Sequence, residues 1–569
     1  MIILGISCYY HDSAAVLIKD GVVLCGSMEE RFSRKKHDNS FPKQAIEFCL
    51  TWLNCKIEDV DLVAFYEKPI IKFERILFQH LEYFPFSRKT FVESIGSWFD
   101  YKLKLSKTLK KEIGYKGKIF YIPHHLSHAA SSFYLSGFKK SVIVTLDGVG
   151  EWTTTTMGYG ENENIVLEKE IKFPHSLGLM YSTLTSYLGF DVNDAEYKVM
   201  GLAAYGNPMP YRSQFDEIIK LFPDGSYALN MKYFEFTWSD HMQSKELEKL
   251  FGLPSRKPET SMNKEYENIA AALQERLEQV VFHILKKAHQ IYNVENLCLS
   301  GGVALNSVLN GKILTNTPFK KLYITPDPGD GGGALGAALY AHKSQTKKRP
   351  ENINFFPTLG PSFSNEQIQS IIESYNFPYV YYESQKEFIE LVANLLTKQK
   401  IIGWFQGRME WGPRALGNRS ILASAANSTM KDIINKKVKH REMFRPFAPV
   451  ILDKFVHSYF VTDKIVSESA KYMLMVYPFT PKGEKEAPAT VHVDKTGRLQ
   501  VIERKNNELY YDLVQKYGEK TGSSIIINTS FNVRGEPIVC TPKDALECFL
   551  KTDIDYLVLG KFIVNKKDI

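Results

Sequence analysis

SVIVTLDGVGEWTTTTMGYGENENIVLEKEIKF, residues 141–173, decides the fold. It reads as an apolar strand closing on Asp147 and a glycine turn, a threonine-rich strand, a polar turn and a third strand. A helical segment, MYSTLTSYLGF at 180–190, follows soon after. The N-terminus runs in the same order. IILGISC (2–8), SAAVLIKDG (13–21) and VVLCGSMEE (22–30) are short strands, with a Lys-Asp-Gly turn at 19–21. FPKQAIEFCLTWLN (41–54) then has helical periodicity. Strand–strand–strand–helix therefore occurs twice, about 140 residues apart and with negligible identity between the copies.

Two such halves facing one another form the duplicated ribonuclease-H-like architecture of the actin-like ATPases. There nucleotide and metal lie in the cleft between the halves. Residues 266–290 predict a long amphipathic helix. Two strand–glycine turn–helix units come next, NLCLSGGVALNSVLNGKIL (296–314) and KLYITPDPGDGGGALGAALYA (321–341). Their glycines let backbone N–H groups approach phosphate or ribose, and helix N-termini favour anions. The polar stretch HKSQTKKRPENINFFP, 342–357, is the linker candidate. Beyond it helices alternate with short strands, which predicts a separate α/β domain.

With 569 residues the chain is too long for one core, and two or three domains are expected. Its composition, 44% hydrophobic and 24% charged, is that of an ordinary soluble globular protein. A net charge of +7 suits anionic small substrates and does not call for nucleic acid. The seven cysteines are scattered and lack a C-x-x-C, which argues against a disulfide framework or zinc knuckle. Reduced thiols in the cytoplasm are the expectation. No basic leader opens the chain, and no apolar run approaches the roughly eighteen residues of a membrane span.

Chemistry concentrates in a few motifs. YIPHHLSHAA, 121–130, places His124 and His128 four apart, on one helix face and within reach of one metal ion. Asp147 and Asp330 add carboxylates. Such a set suits Fe(II), Mn, Co or Zn, and spacing does not choose among them. The turn with Gly329, Gly331 and Gly332 reads either as a nucleotide contact or as tight strand-to-helix packing. Gly301, Gly302 and Asn306 read as an adenosine contact, and Lys198 as a residue facing nucleotide phosphates. EERFSRKKH, 29–37, is an exposed basic turn or carries Lys36 and His37 into a cleft. GRMEWGPRALGNRS, 407–420, holds Arg414 and Arg419 among glycines; without G-K-[ST] it is no Walker loop. Arginine forks match phosphate and carboxylate. Arg445, His492, Arg498 and Asn528 lie on neighbouring polar segments, as a small phosphorylated or carbonyl substrate needs.

In order, HDSAA, EERFSRKKH, YEKPIIKFER, HHLSHAA, LDGVGEW, EYKVMGLAAYG, SGGVALN, PGDGGGALGAA, EWGPRALGNRSILA, FRPFAPV and NTSFNVRGEPIV run nearly end to end. With this set the chain resembles the NodU/CmcH O-carbamoyltransferase family. The resemblance implies an α/β fold: a duplicated ribonuclease-H-like (actin-like ATPase, Kae1-like) domain over 1–345, a linker at 346–357, and a YrdC-like α/β domain over 358–569. It implies that carbamoyl phosphate is opened in the second domain, that carbamate is joined to AMP from ATP, and that the carbamoyl group passes to an acceptor hydroxyl of a sugar, glycan or secondary metabolite. His124, His128, Asp147 and Asp330 match the family's metal ligands, with iron a common occupant and Mg an expected companion of ATP. Lys198, Gly301, Gly302, Asn306, Gly329, Gly331 and Gly332 match its adenylate surroundings. Arg414, Arg419, Lys439, Arg445, His492, Arg498 and Asn528 are the candidates for carbamoyl phosphate. His11, Lys36 and His125 are the candidates for the transfer step. A homodimer is left open. One departure is VHVDKTGRLQ, where Lys495 and Gly497 replace more usual residues. Sugar kinase or tRNA-modifying chemistry on the same scaffold, and a non-catalytic nucleotide-binding partner, are the competing readings.

Overall fold

β1 (Ile2–Ser7), β2 (Ala14–Lys19) and β3 (Val22–Met28) form an antiparallel run, and β4 (Leu62–Phe65) and β5 (Lys118–Tyr121) add to β1 in parallel. The spatial order is β3-β2-β1-β4-β5. β6 (Lys140–Leu146), β7 (Thr153–Glu161), β8 (Asn164–Lys172), β11 (Asn296–Ser300) and β12 (Lys321–Ile324) repeat it as β8-β7-β6-β11-β12. Pairing senses match as well: antiparallel among the first three strands, parallel for the last two. The duplication is therefore topological, and the fold is the duplicated ribonuclease-H-like α/β class. The computed structural model describes all residues except 101, 352–354, 443 and 463–465, with only the backbone of 94, 97, 99, 100 and 102. The expected linker 346–357 lies partly outside the described residues.

A helix follows the fifth strand in each half: His124–Leu135 after β5 and Asp330–Thr346 after β12. The first packs against β6 and β11, the second against β1, β2 and β4, and the two pack on each other. Small residues permit this. A Cβ on Gly336 would collide with the Ser127 carbonyl oxygen, and one on Gly5 with the Ala334 carbonyl oxygen. The strands between are buried on both faces and read as continuous apolar runs. Between β8 and β11 the chain makes an excursion with a hairpin, β9 (Ile219–Leu221) and β10 (Tyr227–Leu229), and the helix Lys264–Tyr292. The Asn263 side chain accepts from Tyr266 N at its start, and Asn293 ends it in a left-handed conformation.

The chain divides into two compact units, Met1–Glu29 with Asn39–Phe355, and Glu30–Asp38 with Phe356–Ile569. The short segment differs from the linear division expected from sequence. It is held to the second unit by Arg34, whose guanidinium donates to the carbonyls of Ile538 (2.7 Å) and Pro537 (2.9 Å), and by Arg31, which donates to Gly412 O (3.0 Å). Lys36, expected beside His11 in the first domain, thus belongs to the second unit. That unit is built on β13 (Val380–Tyr381), β14 (Ile402–Phe405), β15 (Arg419–Ser424), β16 (Ala448–Leu452), β17 (Met475–Pro478), β18 (Thr496–Ile502), β19 (Ile525–Ser530), β20 (Tyr556–Leu559) and β21 (Phe562–Asn565). Their order is β13-β21-β20-β14-β15-β19-β16-β18-β17, mixed in sense. No helix among the described residues is long and apolar enough to cross a membrane.

Candidate metal centre and anion-binding loops

Duplication explains how four distant residues meet. His124 and Asp330 are each the first residue of the helix after a fifth strand, and Asp147 directly follows the first strand of its half. His128 lies one turn beyond His124 on the same face. One donor atom from each of the four lies within 4.8 Å of all the others, and all four residues are buried. His124 Nε2 is 2.9 Å from Asp147 Oδ2, 3.0 Å from His128 Nε2 and 3.6 Å from Asp330 Oδ1. His128 Nε2 is 3.5 Å from Asp330 Oδ1 and 3.8 Å from Asp147 Oδ2. Ligand bonds of about 2.1 Å separate neighbouring donors by about 3.0 Å at right angles and about 3.4 Å at the tetrahedral angle. The spacings fit one divalent ion. Only one of two facing Nε2 atoms can donate to the other, whereas a cation satisfies both lone pairs. Asp330 Oδ2 is also buried without a hydrogen-bond partner among the described residues.

The electrostatics match. Burial alone would lower the His124 imidazole, but Asp330 and Asp147 outweigh it and hold the pKa up to about 9. Burial would raise the Asp147 and Asp330 carboxyls, yet the histidines keep both below the usual range. The surrounding chain fixes the ligands. Gly302 N donates to Asp147 Oδ1 at 2.8 Å. Gly301, at φ +94°, can carry no side chain because it lies against the Leu146 carbonyl. Glu151 accepts from the backbone N–H of His124 (3.0 Å) and Lys68 (2.8 Å), capping the histidine helix.

Several residues expected to bind nucleotide already have structural work. Gly332 sits against the Asp327 carbonyl, and a Cβ on Gly331 would strike the Asp327 carboxylate and Met28. Gly329 lies more openly, at the helix start. Asn306 caps the Ser307–Asn316 helix through Leu309 N (3.0 Å) and pairs with Gln274 (2.8 Å). Lys198 is buried with its ammonium 5.6 Å from the Phe190 ring.

His125 does not suit proton transfer. Its Nδ1 is 2.6 Å from Thr145 Oγ1, its Nε2 2.8 Å from the Thr153 carbonyl, and burial with His124 nearby lowers its pKa to about 3. Both nitrogens are occupied and the ring is neutral, so this corrects the expectation from sequence. His11 differs. Half-buried after β1, it holds Asp12 Oδ2 through Nδ1 at 2.8 Å. Burial would lower it, but the Asp12 hydrogen bond, with Asp330 and Asp147, raises it to about 9.

In the second unit the loop before β15 is tied from both sides. Glu410 Oε1 accepts from the N–H of Leu416 (2.7 Å), Asn418 (2.7 Å) and Arg419 (3.1 Å). Asn528 donates to Ala415 O (3.1 Å) and Gln500 Oε1 (2.7 Å), and Gln500 donates to Leu416 O (2.8 Å). These bonds orient the Asn528 amide and leave its buried Oδ1 without a donor among the described residues. Arg498, two residues before Gln500 on β18, shares its face. Arg445 pairs with Glu442 at 3.3 Å, and the His492 ring lies 3.4 Å from Asp494.

Two expected ligands are corrected. Arg419 is fully buried, donates to the carbonyls of Gln406 (2.7 Å), Asn418 (3.0 Å) and Pro361 (3.1 Å), and stacks on Phe405. It staples the loop and has no face for a ligand. The buried Lys439 ammonium is taken up by Ser530 O, Asn532 O and Asn532 Oδ1, and burial with Arg441 and Arg445 nearby lowers its pKa well below the usual lysine value. Sequence reading missed Glu151 and Glu410. Both stand inside quoted motifs, LDGVGEW and EWGPRALGNRSILA, where a carboxylate beside glycines signals backbone N–H capture.

The family described as carbamoyltransferase N-terminus matches residues 2–339, and carbamoyltransferase C-terminus matches 393–566. An uncharacterized protein of Synechocystis sp. is 42% identical over 99% of this chain and 96% of its own. Nodulation protein NolNO of Sinorhizobium fredii is 35% identical over 98% of this chain and 79% of its own. Among solved structures, the Acidaminococcus fermentans (R)-2-hydroxyglutaryl-CoA dehydratase component A covers 60% of this chain and 98% of its own at 16% identity, with a TM-score of 0.33, too loose a superposition to bear on function. With family models matching residues 2–339 and 393–566, the chain belongs to the carbamoyltransferase family and is a carbamoyltransferase.

Proposed function

We propose that the protein is an ATP-dependent O-carbamoyltransferase that moves the carbamoyl group of carbamoyl phosphate, through carbamoyl adenylate, to a hydroxyl of a sugar or secondary metabolite. The observation that carries this reading is the buried four-donor cluster at the helix starts of the first unit. His124, His128, Asp147 and Asp330 would hold a divalent ion, Fe(II) in the reading favoured by the family, which supplies Lewis-acid charge to phosphate oxygens when bound. Mg accompanies ATP.

The chain's own groups divide the remaining work. In the second unit Arg414, Arg445 and Arg498 neutralise the phosphate of carbamoyl phosphate, and His492 stands with them. The unpartnered Asn528 Oδ1 accepts a carbamoyl N–H, which distinguishes carbamoyl from acetyl phosphate. Hydrolysis there gives carbamate and phosphate. Carbamate oxygen attacks the α-phosphorus of ATP, the bond to the pyrophosphate breaks, and carbamoyl adenylate forms. In the first unit the backbone surface around Gly301, Gly302 and Gly329, bare of side chains, receives the nucleotide together with Lys198; the N–H groups of these glycines are already given to Pro328 O, Asp147 Oδ1 and Asp327 Oδ1. His11, steadied by Asp12 at Nδ1, turns Nε2 to the acceptor hydroxyl; held up to about 9 in the metal-free protein, it would take the hydroxyl proton as AMP leaves once a bound ion offsets Asp330 and Asp147 and frees that nitrogen. His11 thereby replaces His125 as the base.

Purified protein given ATP, carbamoyl phosphate and a divalent metal should form AMP, pyrophosphate and phosphate. ADP as the sole nucleotide product would instead support kinase chemistry. No nucleotide product at all, from metal-loaded protein, would support a binding partner without catalysis.

A further inference from the structure

The motif YEKPIIKFER has no part in the chemistry above, yet it builds a charged wall behind the turn that carries Asp147. Glu67 follows β4, and Lys72 and Arg75 lie one turn apart on the Pro69–Glu82 helix. The buried Lys72 ammonium is paired with Glu67 Oε2 at 2.6 Å and sits 4.6 Å from the centre of the Tyr10 ring. This pair fixes Tyr10, whose hydroxyl stands 4.0 Å from the position of a Cβ on Gly148, over the turn that carries Asp147.

Arg75 is the unusual member. It is only 6% exposed. Its guanidinium rests 4.9 Å from the Phe173 ring, its Nε is sealed without a partner, and it makes no ion pair or hydrogen bond among the described residues. The carboxylates nearest to it in charge, Glu67 and Glu151, are spent on Lys72 and on backbone N–H groups. A buried guanidinium with no acceptor costs stability unless a ligand completes it. Tyr10 and His11 are half-buried, so the wall is open on that side.

We propose that Arg75, flanked by Tyr10, is a phosphoryl-oxyanion subsite that holds the pyrophosphoryl end of ATP and steadies pyrophosphate as it leaves. A guanidinium fork beside a divalent-metal cluster is the pairing that phosphoryl groups recruit: the ion takes one set of oxygens, the fork another. The subsite rests on the carbamoyl-adenylate reading, but its test needs no turnover, so failure to bind anion and failure to form AMP are separate results.

Calorimetric binding of ATP, pyrophosphate and AMP to the full chain with Mg²⁺ tests it. Arg75→Gln should weaken ATP and pyrophosphate by about 10- to 100-fold, the loss of a charge-assisted hydrogen-bonded pair, and leave AMP within about twofold. Arg75→Lys, which keeps charge but loses the fork, should fall between and serves where the glutamine variant does not fold. Without ligand, Arg75→Met should melt at or above the temperature of the parent, because it removes an unpaired buried charge; pyrophosphate should raise the midpoint of the parent alone. ATP and pyrophosphate binding unchanged in folded Arg75→Gln would overturn the proposal. So would an equal loss of AMP binding, or a large destabilisation of ligand-free Arg75→Met, which would mark a packing role.

Discussion

Loading the histidine–carboxylate cluster with a divalent ion should expel a proton. In the metal-free protein His124 is held up to about 9, so it is protonated at neutral pH, while Asp147 and Asp330 are held low and carry none. Ligation needs the neutral ring. Binding at neutral pH should therefore release about one proton per ion, and affinity should climb about tenfold, or about 1.4 kcal/mol, per pH unit until it levels near the His124 pKa. Calorimetric titration of metal-depleted protein with Mn²⁺, in two buffers of different ionisation heat, counts the protons. The same shift acts on folding. His124 has a folded pKa above its unfolded value, so its stabilisation of the metal-free protein is complete below the unfolded pKa of about 6.5 and fades as pH rises toward 9. His124→Gln should bind the ion far more weakly and release no proton. Zero release from the parent at neutral pH, with affinity flat from about pH 6 to about pH 8, would refute the assigned proton and with it the ligand set.

Arg419→Met should destabilise the second unit by about 3–5 kcal/mol in denaturant titration, since four carbonyls lose their donor; Arg414→Gln should weaken phosphate binding. Gly336→Val should cost at least about 1–3 kcal/mol by thermal unfolding, because its side chain would enter the Ser127 backbone and part the two site helices. His125→Gln should lower stability by about 1–3 kcal/mol yet keep one ion per chain by metal analysis, because Thr145 and Thr153, rather than the cluster, hold that ring.

The repeated strand–strand–strand–helix order was legible because alternation and glycine turns are local. The fourth and fifth strands of each half were not part of the repeat as read. In the second half, the excursion that ends with the Lys264–Tyr292 helix precedes them. His124, His128, Asp147 and Asp330 stood out because few buried structures need two histidines a turn apart with two carboxylates at glycine turns. The second unit was harder. An arginine on a glycine-rich loop looks the same whether its fork meets a phosphate or the carbonyls of its own loop, and only tertiary structure shows that Arg419 does the latter. Lys439 hides the same ambiguity, and Arg75 hides the reverse one: an arginine on a helix looks like a solvated face until burial shows that no acceptor among the described residues answers it. The capture of Glu30–Asp38 by the second unit depends on contacts of Arg31 and Arg34 with residues more than 380 positions away, which no local pattern encodes.

Exchange of labelled pyrophosphate into ATP tests the central claim most directly. With metal-loaded protein, exchange should require carbamoyl phosphate. Asp330→Asn should abolish it while phosphate release from carbamoyl phosphate continues, and Arg498→Gln should slow phosphate release with the metal retained. Exchange that proceeds without carbamoyl phosphate, or that persists in Asp330→Asn protein lacking the ion, would contradict the assignment of adenylate formation to this cluster.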